Sequence, residues 1–406
     1  MAAIRFGRPA ALAVAVLALS LALAAPGAPA APAPGGMGVL WQTTGGHNAT
    51  LWCVRWSPDG SMVAAAYFDN VTEVYNATTG RSIARLAPPA PRGRCDGYTP
   101  PGCFPMRACA WSPDGRHLAM GGNDKTVTVF WTVNWTVERV FSGHSGSVLT
   151  MEFSPDGRFI ASGSGTDKVE MDNSADENDV RIWDLALGTQ VADLRGHRDG
   201  VMEVKWSPDG RQLVSASDDK TLRVWSAANW SLQGELRGHT LGVLCADFSP
   251  DGRQLVTGSR DYTVRLWNLS ENASGFAQWQ KWPAPNCVRS VDWHPGGEYI
   301  ACSGVDETQL VIRNATTGSV LRTFTESAGT RSAVMSARWS PDGERLAAGA
   351  GKEATLRVYA AGRLRPPAAE AIPWWVQPLV VYGTLSWGAS ILFMYWAWKR
   401  MERERR

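Results

Sequence analysis

Lysine is scarce in this chain, seven residues against 33 arginines in 406. Net charge is only +2, so bulk charge gives no signal for a nucleic-acid or polyanion partner. Histidine is limited to six residues, and none of the seven cysteines forms a C-x-x-C pair. That removes the commonest thiol-redox and zinc signatures. No cysteine lies just after the apolar N-terminal segment, so a lipid anchor there is not expected. The cysteines are compatible with an oxidising compartment, and an odd number leaves at least one without a partner in the chain. Tryptophan, by contrast, is abundant at 20 residues, and 44% of the chain is hydrophobic. That is material for a large core, in a chain longer than one domain usually is.

Both ends are apolar, in different ways. Arg5 and Arg8 precede an Ala/Leu-rich run from Ala10 to Ala25. At roughly 16 residues it falls short of the about 20 that span a bilayer. Small-x-small patterns follow at Ala22-Leu23-Ala24 and Ala28-Pro29-Ala30. Together these predict a secretory signal peptide over residues 1–30. At the other end, Leu379 to Trp398 carries no charge, with Trp374, Trp375, Trp396 and Trp398 at its two ends. Indoles favour the headgroup layer, and the length suits one membrane helix. The tail "KRMERERR" holds Lys399, Arg400, Arg403, Arg405 and Arg406 and acts as a cytoplasmic stop. The expected order is signal peptide 1–30, body 39–360, linker 361–373, transmembrane helix 374–398 and basic tail 399–406.

Eight of the twelve asparagines lie in N-x-S/T sequons: Asn48, Asn70, Asn76, Asn134, Asn229, Asn268, Asn272 and Asn314. Chance would give roughly two. They are candidate N-glycosylation sites of an exported body. "NATTG" at Asn76 and Asn314 also reads as a turn, since asparagine tolerates left-handed geometry.

Within the body, Ser-Pro-Asp-Gly recurs at residues 57, 112, 154, 207, 249 and 340, with a degraded copy, "HPGG", at His294. The spacing, 42 to 55 residues, means one supersecondary unit copied seven times with insertions. In each unit an alternating strand such as "VMEVKW" precedes the turn. Proline presets φ and Asp-Gly supplies side-chain bonding and a positive φ. "RQLVSAS", "TLRVW" and "LQGELRGH" supply three further strands. The predicted fold is all-β, a seven-bladed β-propeller of four-stranded blades, plus the one C-terminal transmembrane α-helix.

"GH" stands at Gly143-His144, Gly196-His197 and Gly238-His239, and "WD" at Trp183-Asp184, with "WS" at Trp225 and "WN" at Trp267. On these residues the chain resembles the WD-repeat family over about residues 39 to 360. The resemblance implies a buried hydrogen-bond network within a blade, here His197, Ser215, Asp219 and Trp225, then His239, Thr257, Asp261 and Trp267. Tyr75, Phe130 and Tyr359 take the tryptophan place elsewhere, Arg313 does so in the sixth unit, and Glu353 replaces the last aspartate. The last unit has only three strands. "VLWQ" at Val39–Gln42 is expected to complete it, as is usual for the family.

Strand direction assigns the Ser-Pro-Asp-Gly turns and third-to-fourth-strand turns to one face. Two long insertions fall on the other, 87–106 and 165–178, where function tends to reside. The first holds Cys95 and Cys103, a candidate disulfide that would stiffen it; Cys287 and Cys302 are a second, weaker pairing. The second insertion carries Asp167, Glu170, Asp172, Asp176 and Glu177, followed by Asp179. These acids form a candidate partner loop. A solvated acidic loop is the plainer alternative, and calcium another, but the spacing lacks the glycine and bidentate glutamate of a helix-loop-helix site.

The functional expectation is a membrane-anchored propeller outside the cytoplasm, at the cell surface or in a secretory lumen. It would bind a protein partner through loops 87–106 and 165–178, with no nucleic acid, cofactor, metal or catalysis. Two alternatives compete. One is a cytosolic-facing membrane-anchored propeller in trafficking, against which the signal peptide and sequons argue. The other is a propeller enzyme, against which stands the lack of a sialidase box and of any catalytic constellation.

Overall fold

A computed structural model describes residues 38–43, 46–47, 50–89, 105–165, 178–269, 276–304, 309–325, 333–350 and 354–362. Among the described residues, twenty-eight strands, β1–β28 in chain order, make seven antiparallel four-stranded sheets. The innermost strands are β2 (Leu51–Trp56), β6 (Met106–Trp111), β10 (Ser147–Phe153), β14 (Val201–Trp206), β18 (Val243–Phe248), β22 (Val288–Trp293) and β26 (Val334–Trp339). Each packs beside the next, and β2 also packs beside β26. The sheets therefore close into a ring of seven blades around a central channel, which the innermost strands line.

The repeated turn explains why each hairpin forms where it does. Gly210 adopts φ +71°, Ser207 Oγ donates to Asp209 Oδ1 at 2.6 Å, and the amides of Arg211 and Gln212 donate back to Asp209 and Ser207. The preceding aromatic then fills the gap between blades. Trp56, Trp111 and Trp206 donate Nε1 to backbone carbonyls of Arg338, Arg55 and Glu152 in the neighbouring blade. Each core cluster mixes side chains from adjacent blades, as Ala108, Val127, Phe153 and Trp183 do. Burial is thus shared, and no blade has a complete core alone.

Strand β1 (Val39–Gln42) pairs with β28 (Thr355–Ala360), Val39 opposite Tyr359 and Trp41 opposite Val358. The seventh blade is completed by the start of the body. Trp41 is buried, and its Nε1 donates to Ala77 O at 2.8 Å. Gly80, at φ +68°, lets the indole lie flat on the chain, because a Cβ there would meet the ring at 2.8 Å. Ala360 N bonds Gly38 O, and Ala361 N bonds Glu344 O beside the last Ser-Pro-Asp-Gly turn. Both ends of the body therefore emerge on the face of those turns.

Several expectations lie outside the described residues: segments 1–30, 374–398 and 399–406, nearly all of 361–373, Asn48, Asn272, Cys95, Cys103 and Glu353. Among the described residues no helix is long and apolar enough to cross a membrane. Cys287 and Cys302 are not joined by a disulfide, which corrects that pairing. Cys302 stands opposite Val291, while Cys287 lies beyond the Val288–Gly304 pair.

Candidate binding site at the channel mouth

Every innermost strand carries a bulge at the same place. Register slips between Leu51 and Cys53, Met106 and Ala108, Val148 and Thr150, Val201 and Glu203, Val243 and Cys245, Val288 and Ser290, and Val334 and Ser336. The skipped residues are Trp52, Arg107, Leu149, Met202, Leu244, Arg289 and Met335. A bulge turns its extra residue out of the ladder and re-aims the side chain. All seven line one cavity at the start of the innermost strands, on the face opposite the Ser-Pro-Asp-Gly turns, with about 420 Å³ of space open to solvent.

Four of the seven are aliphatic or thioether. The other three form a cationic cluster. The guanidinium carbon of Arg107 lies 4.9 Å from the Trp52 ring centroid, and that of Arg289 lies 4.8 Å from it, within the range of cation–π attraction. Arg107 Nε also donates to Asn123 Oδ1 at 2.9 Å, which fixes it. Burial, then the nearby Arg260 and Arg107 charges, push the Arg289 pKa down. Arg260 itself is matched by Asp218 at 2.9 Å.

Below the mouth the channel is filled by charge. Arg55 meets Glu203 at 3.2 Å, and Arg338 approaches both Glu203 and Asp292 at 3.7 Å. Lys205 bridges Glu152 at 3.1 Å and Asp247 at 3.3 Å. The same acids accept backbone N–H groups from the next blade: Trp206 to Glu152, Trp293 to Asp247 and Trp339 to Asp292. Burial raises the pKa of Glu152 and pushes that of Asp292 up to about 7, while Lys205, between two carboxylates, is raised despite its burial. These carboxylates are therefore committed to holding blades together. The mouth has a cationic side and a salt-bridged floor, and its exposed lining is mostly polar.

The network residues sit away from this mouth, within blades. His197 Nδ1 lies 2.8 Å from Asp219 and Nε2 2.8 Å from Ser215, to which Trp225 Nε1 donates. His239, Asp261, Thr257 and Trp267 repeat the arrangement. A third set, His144, Asp179, Ser162 and Trp183, was not assembled from the sequence. This corrects Asp179. It is not an exposed acid of the partner loop but is 3% exposed, tied to His144, Ser164 and Arg181. Its neighbours Asp167, Glu170, Asp172, Asp176 and Glu177 lie outside the described residues.

The other blades modify the pattern. In blade one, His47 meets Asp69 at 2.7 Å and Glu73 at 2.6 Å and stacks on Tyr67. In blade six, Ala284, Cys302 and Arg313 take the histidine, hydroxyl and tryptophan places, and line a small cavity of about 30 Å³. Arg313 spans it to the carbonyls of Gly318 and Pro283.

The sequons Asn76, Asn134, Asn229, Asn268 and Asn314 fall at third-to-fourth-strand turns, on the turn face, while Asn70 lies in a turn at φ 71° on the mouth face. Asn76 and Asn314 each accept two backbone N–H bonds inside their turns.

A family model described as "WD domain, G-beta repeat" matches residues 38–76, 98–130, 135–184, 188–226, 230–268, 279–308 and 318–359. The chain belongs to the WD-repeat family. It is 26% identical to a guanine nucleotide-binding protein subunit beta of Zea mays, over 43% of this chain and 54% of that protein. It is also 26% identical to transcription initiation factor TFIID subunit 5 of Caenorhabditis elegans, over 42% of this chain and 22% of that one. With coronin-7 of Rattus norvegicus the identity is 32%, over 26% and 11%. The chain thus spans about half or less of the length of these relatives. The fold they share hosts many functions.

Proposed function

We propose that this protein is an exported, membrane-anchored WD-repeat propeller. It acts as a protein-binding scaffold or receptor through its membrane-distal face, using the channel mouth and loops 87–106 and 165–178. The carrying observation is that both ends of the body leave from the Ser-Pro-Asp-Gly face. A span at 374–398, reached by the linker 361–373 and stopped by the tail 399–406, would hold that face toward the bilayer. The channel mouth would then point away from it. The sequon asparagines of the third-to-fourth-strand turns share the membrane-side face, so glycans there would leave the mouth uncovered. Two of the relatives are subunits, of TFIID and of a guanine nucleotide-binding protein, which supports a binding role, as does the engagement of the channel carboxylates in structural contacts.

The test is protease protection on intact cells and on sealed vesicles, with one tag after Arg406 and a second inside loop 87–106. The expected result on cells is loss of the loop tag with survival of the tail tag. In secretory vesicles both results would point to a lumenal body if the loop tag is protected and the tail tag is cut. A loop tag on the cytosolic side would overturn the reading. Capture of partners by the full-length protein, with and without loop 87–106, then tests the binding face.

A further inference from the structure

In blades three, four and five a buried imidazole fills the network slot and faces an aspartate: His144 with Asp179 at 3.1 Å, His197 with Asp219 at 2.8 Å and His239 with Asp261 at 2.9 Å. Blade six departs from this in two ways at once. Ala284 stands in the histidine place, and the side chains around it line a cavity of about 30 Å³. Arg313 stands in the tryptophan place and brings a permanent charge into the same slot, where it is 8% exposed. Its Nη1 donates to Gly318 O at 2.9 Å and its Nη2 to Pro283 O at 2.8 Å, while its buried Nε has no hydrogen-bond partner. Among the described residues no carboxylate stands within ion-pair distance of it. The lining includes Asn286, Val288, Cys302 and Val311. Cys302 does not supply the anion, because burial pushes its thiol up to about 12 against the pull of Arg313. Two neutral carbonyls solvate a guanidinium without neutralising it, and a buried charge needs a paired one.

We propose that this cavity binds a single small inorganic anion, chloride, which accepts from Arg313 Nε and supplies the negative charge that aspartate supplies in blades three to five. The space suits a monatomic ion or about two waters. A phosphate or sulfate needs donors around several oxygens, and here one free N–H stands among apolar walls and a protonated thiol. A water would satisfy that N–H and leave the charge unbalanced. Arg313 grips Gly318 O in blade six and Pro283 O at the end of the outer strand of blade five, Ala277–Pro283. The anion would therefore steady the boundary between these two blades. The site does not depend on export of the body.

The test follows the thermal midpoint of purified full-length protein in non-ionic detergent micelles as sodium chloride replaces sodium gluconate at constant ionic strength, with the chloride NMR line width measured on the same solutions. Chloride should raise the midpoint along a saturating curve, by about 2 °C or more, and the protein should broaden the chloride line. Both effects should be lost in Arg313→Met. Ala284→Leu, which fills the cavity and keeps the cation, should lose them too, and it covers the case in which Arg313→Met fails to fold. Equal midpoints in the two salts overturn the proposal, the cavity then holding water only. A rise in simple proportion to chloride, or line broadening, that survives both variants overturns it as well. So does a chloride response that emerges only in Asp306→Asn/Glu307→Gln, because a carboxylate of the chain's own would then be the counterion of Arg313.

Discussion

Arg55 and Glu203 come from blades one and four, 148 residues apart, and their side chains meet across the channel at 3.2 Å. The contact joins opposite sides of the ring. Glu203 also lies 3.7 Å from Arg338 of blade seven, so one carboxylate faces two guanidiniums at the floor of the mouth. Glu203→Ala should therefore leave two buried cations without their shared anion and cost about 3 kcal/mol. Urea denaturation would measure it. The double variant Arg55→Met/Glu203→Met should recover part of the loss, since Arg55 is then no longer stranded while Arg338 keeps Asp292 alone.

Ring closure depends on four residues before the first blade. Trp41 is buried against Tyr75 and Val358 and anchored to Ala77 O. Trp41→Ala should cost about 4 kcal/mol through the cavity it leaves. Removing Val39–Gln42 goes further, because β28 becomes an open edge. The expected outcome is concentration-dependent association on a sizing column. Processing of the chain after Ala30 would leave this strand intact.

The ring was legible because its signals are local and repeated. A Ser-Pro-Asp-Gly turn fixes a hairpin wherever it occurs, and Val39–Gln42 is recognisable as a fourth strand without a blade. Two blade networks were legible for the same reason. The third was hidden because a 14-residue insertion separates Ser164 from Asp179, and the cluster of acids within it made Asp179 look like part of the loop. The channel mouth was missed although it stands in the sequence. Trp52, Arg107, Leu149, Met202, Leu244, Arg289 and Met335 all lie five residues before a turn's first residue. Simple alternation assigns that column to neither face, because a bulge breaks the period of two just there. Only the paired register shows the side chains turning into the channel.

Acid should loosen the blade networks. Burial, opposed by Asp261, brings the His239 pKa down to about 4 from the ordinary value near 6.5, with Arg265 and Lys281 acting in the same direction as burial. The His144 pKa is lowered too, again mainly by burial. Between pH 6.5 and 4 the unfolded chain takes up a proton that folded His239 does not. The His239 contribution is therefore fully present above pH 6.5 and is lost as pH falls through 4, about 3 kcal/mol in all. Urea midpoints at pH 7, 5.5 and 4 should decline accordingly, and His239→Gln should be less stable at pH 7 yet flatter with pH. Asp292 acts with the opposite sign. Its carboxyl, raised to about 7 by burial, favours the folded state most at low pH and loses that contribution as pH rises through 7. Asp292→Asn should remove that part of the profile.

Cys109 Sγ donates to Cys53 Sγ at 3.6 Å, across the boundary between blades one and two. The hydrogen bond, reinforced by Arg55 against the cost of burial, brings the Cys53 thiol down to about 6, and the same contact and burial raise Cys109. A disulfide needs the sulfurs at about 2 Å, and this pair, in contact at 3.6 Å, is the candidate for oxidation. Oxidised glutathione should therefore convert this pair, the new S–S bond forming as the glutathione disulfide is reduced to two thiols. Both cysteines are buried, so the reaction should be slow and should quicken in mild urea. The bond would close a loop of 56 residues and stabilise the ring by about 4 kcal/mol through chain entropy, a gain absent in Cys53→Ser and in Cys109→Ser. Peptide mapping would read it directly. A linked Cys53–Cys109 peptide from protein isolated without added oxidant would mean that the propeller had met an oxidising compartment. Two alkylatable thiols after denaturation would weigh against export.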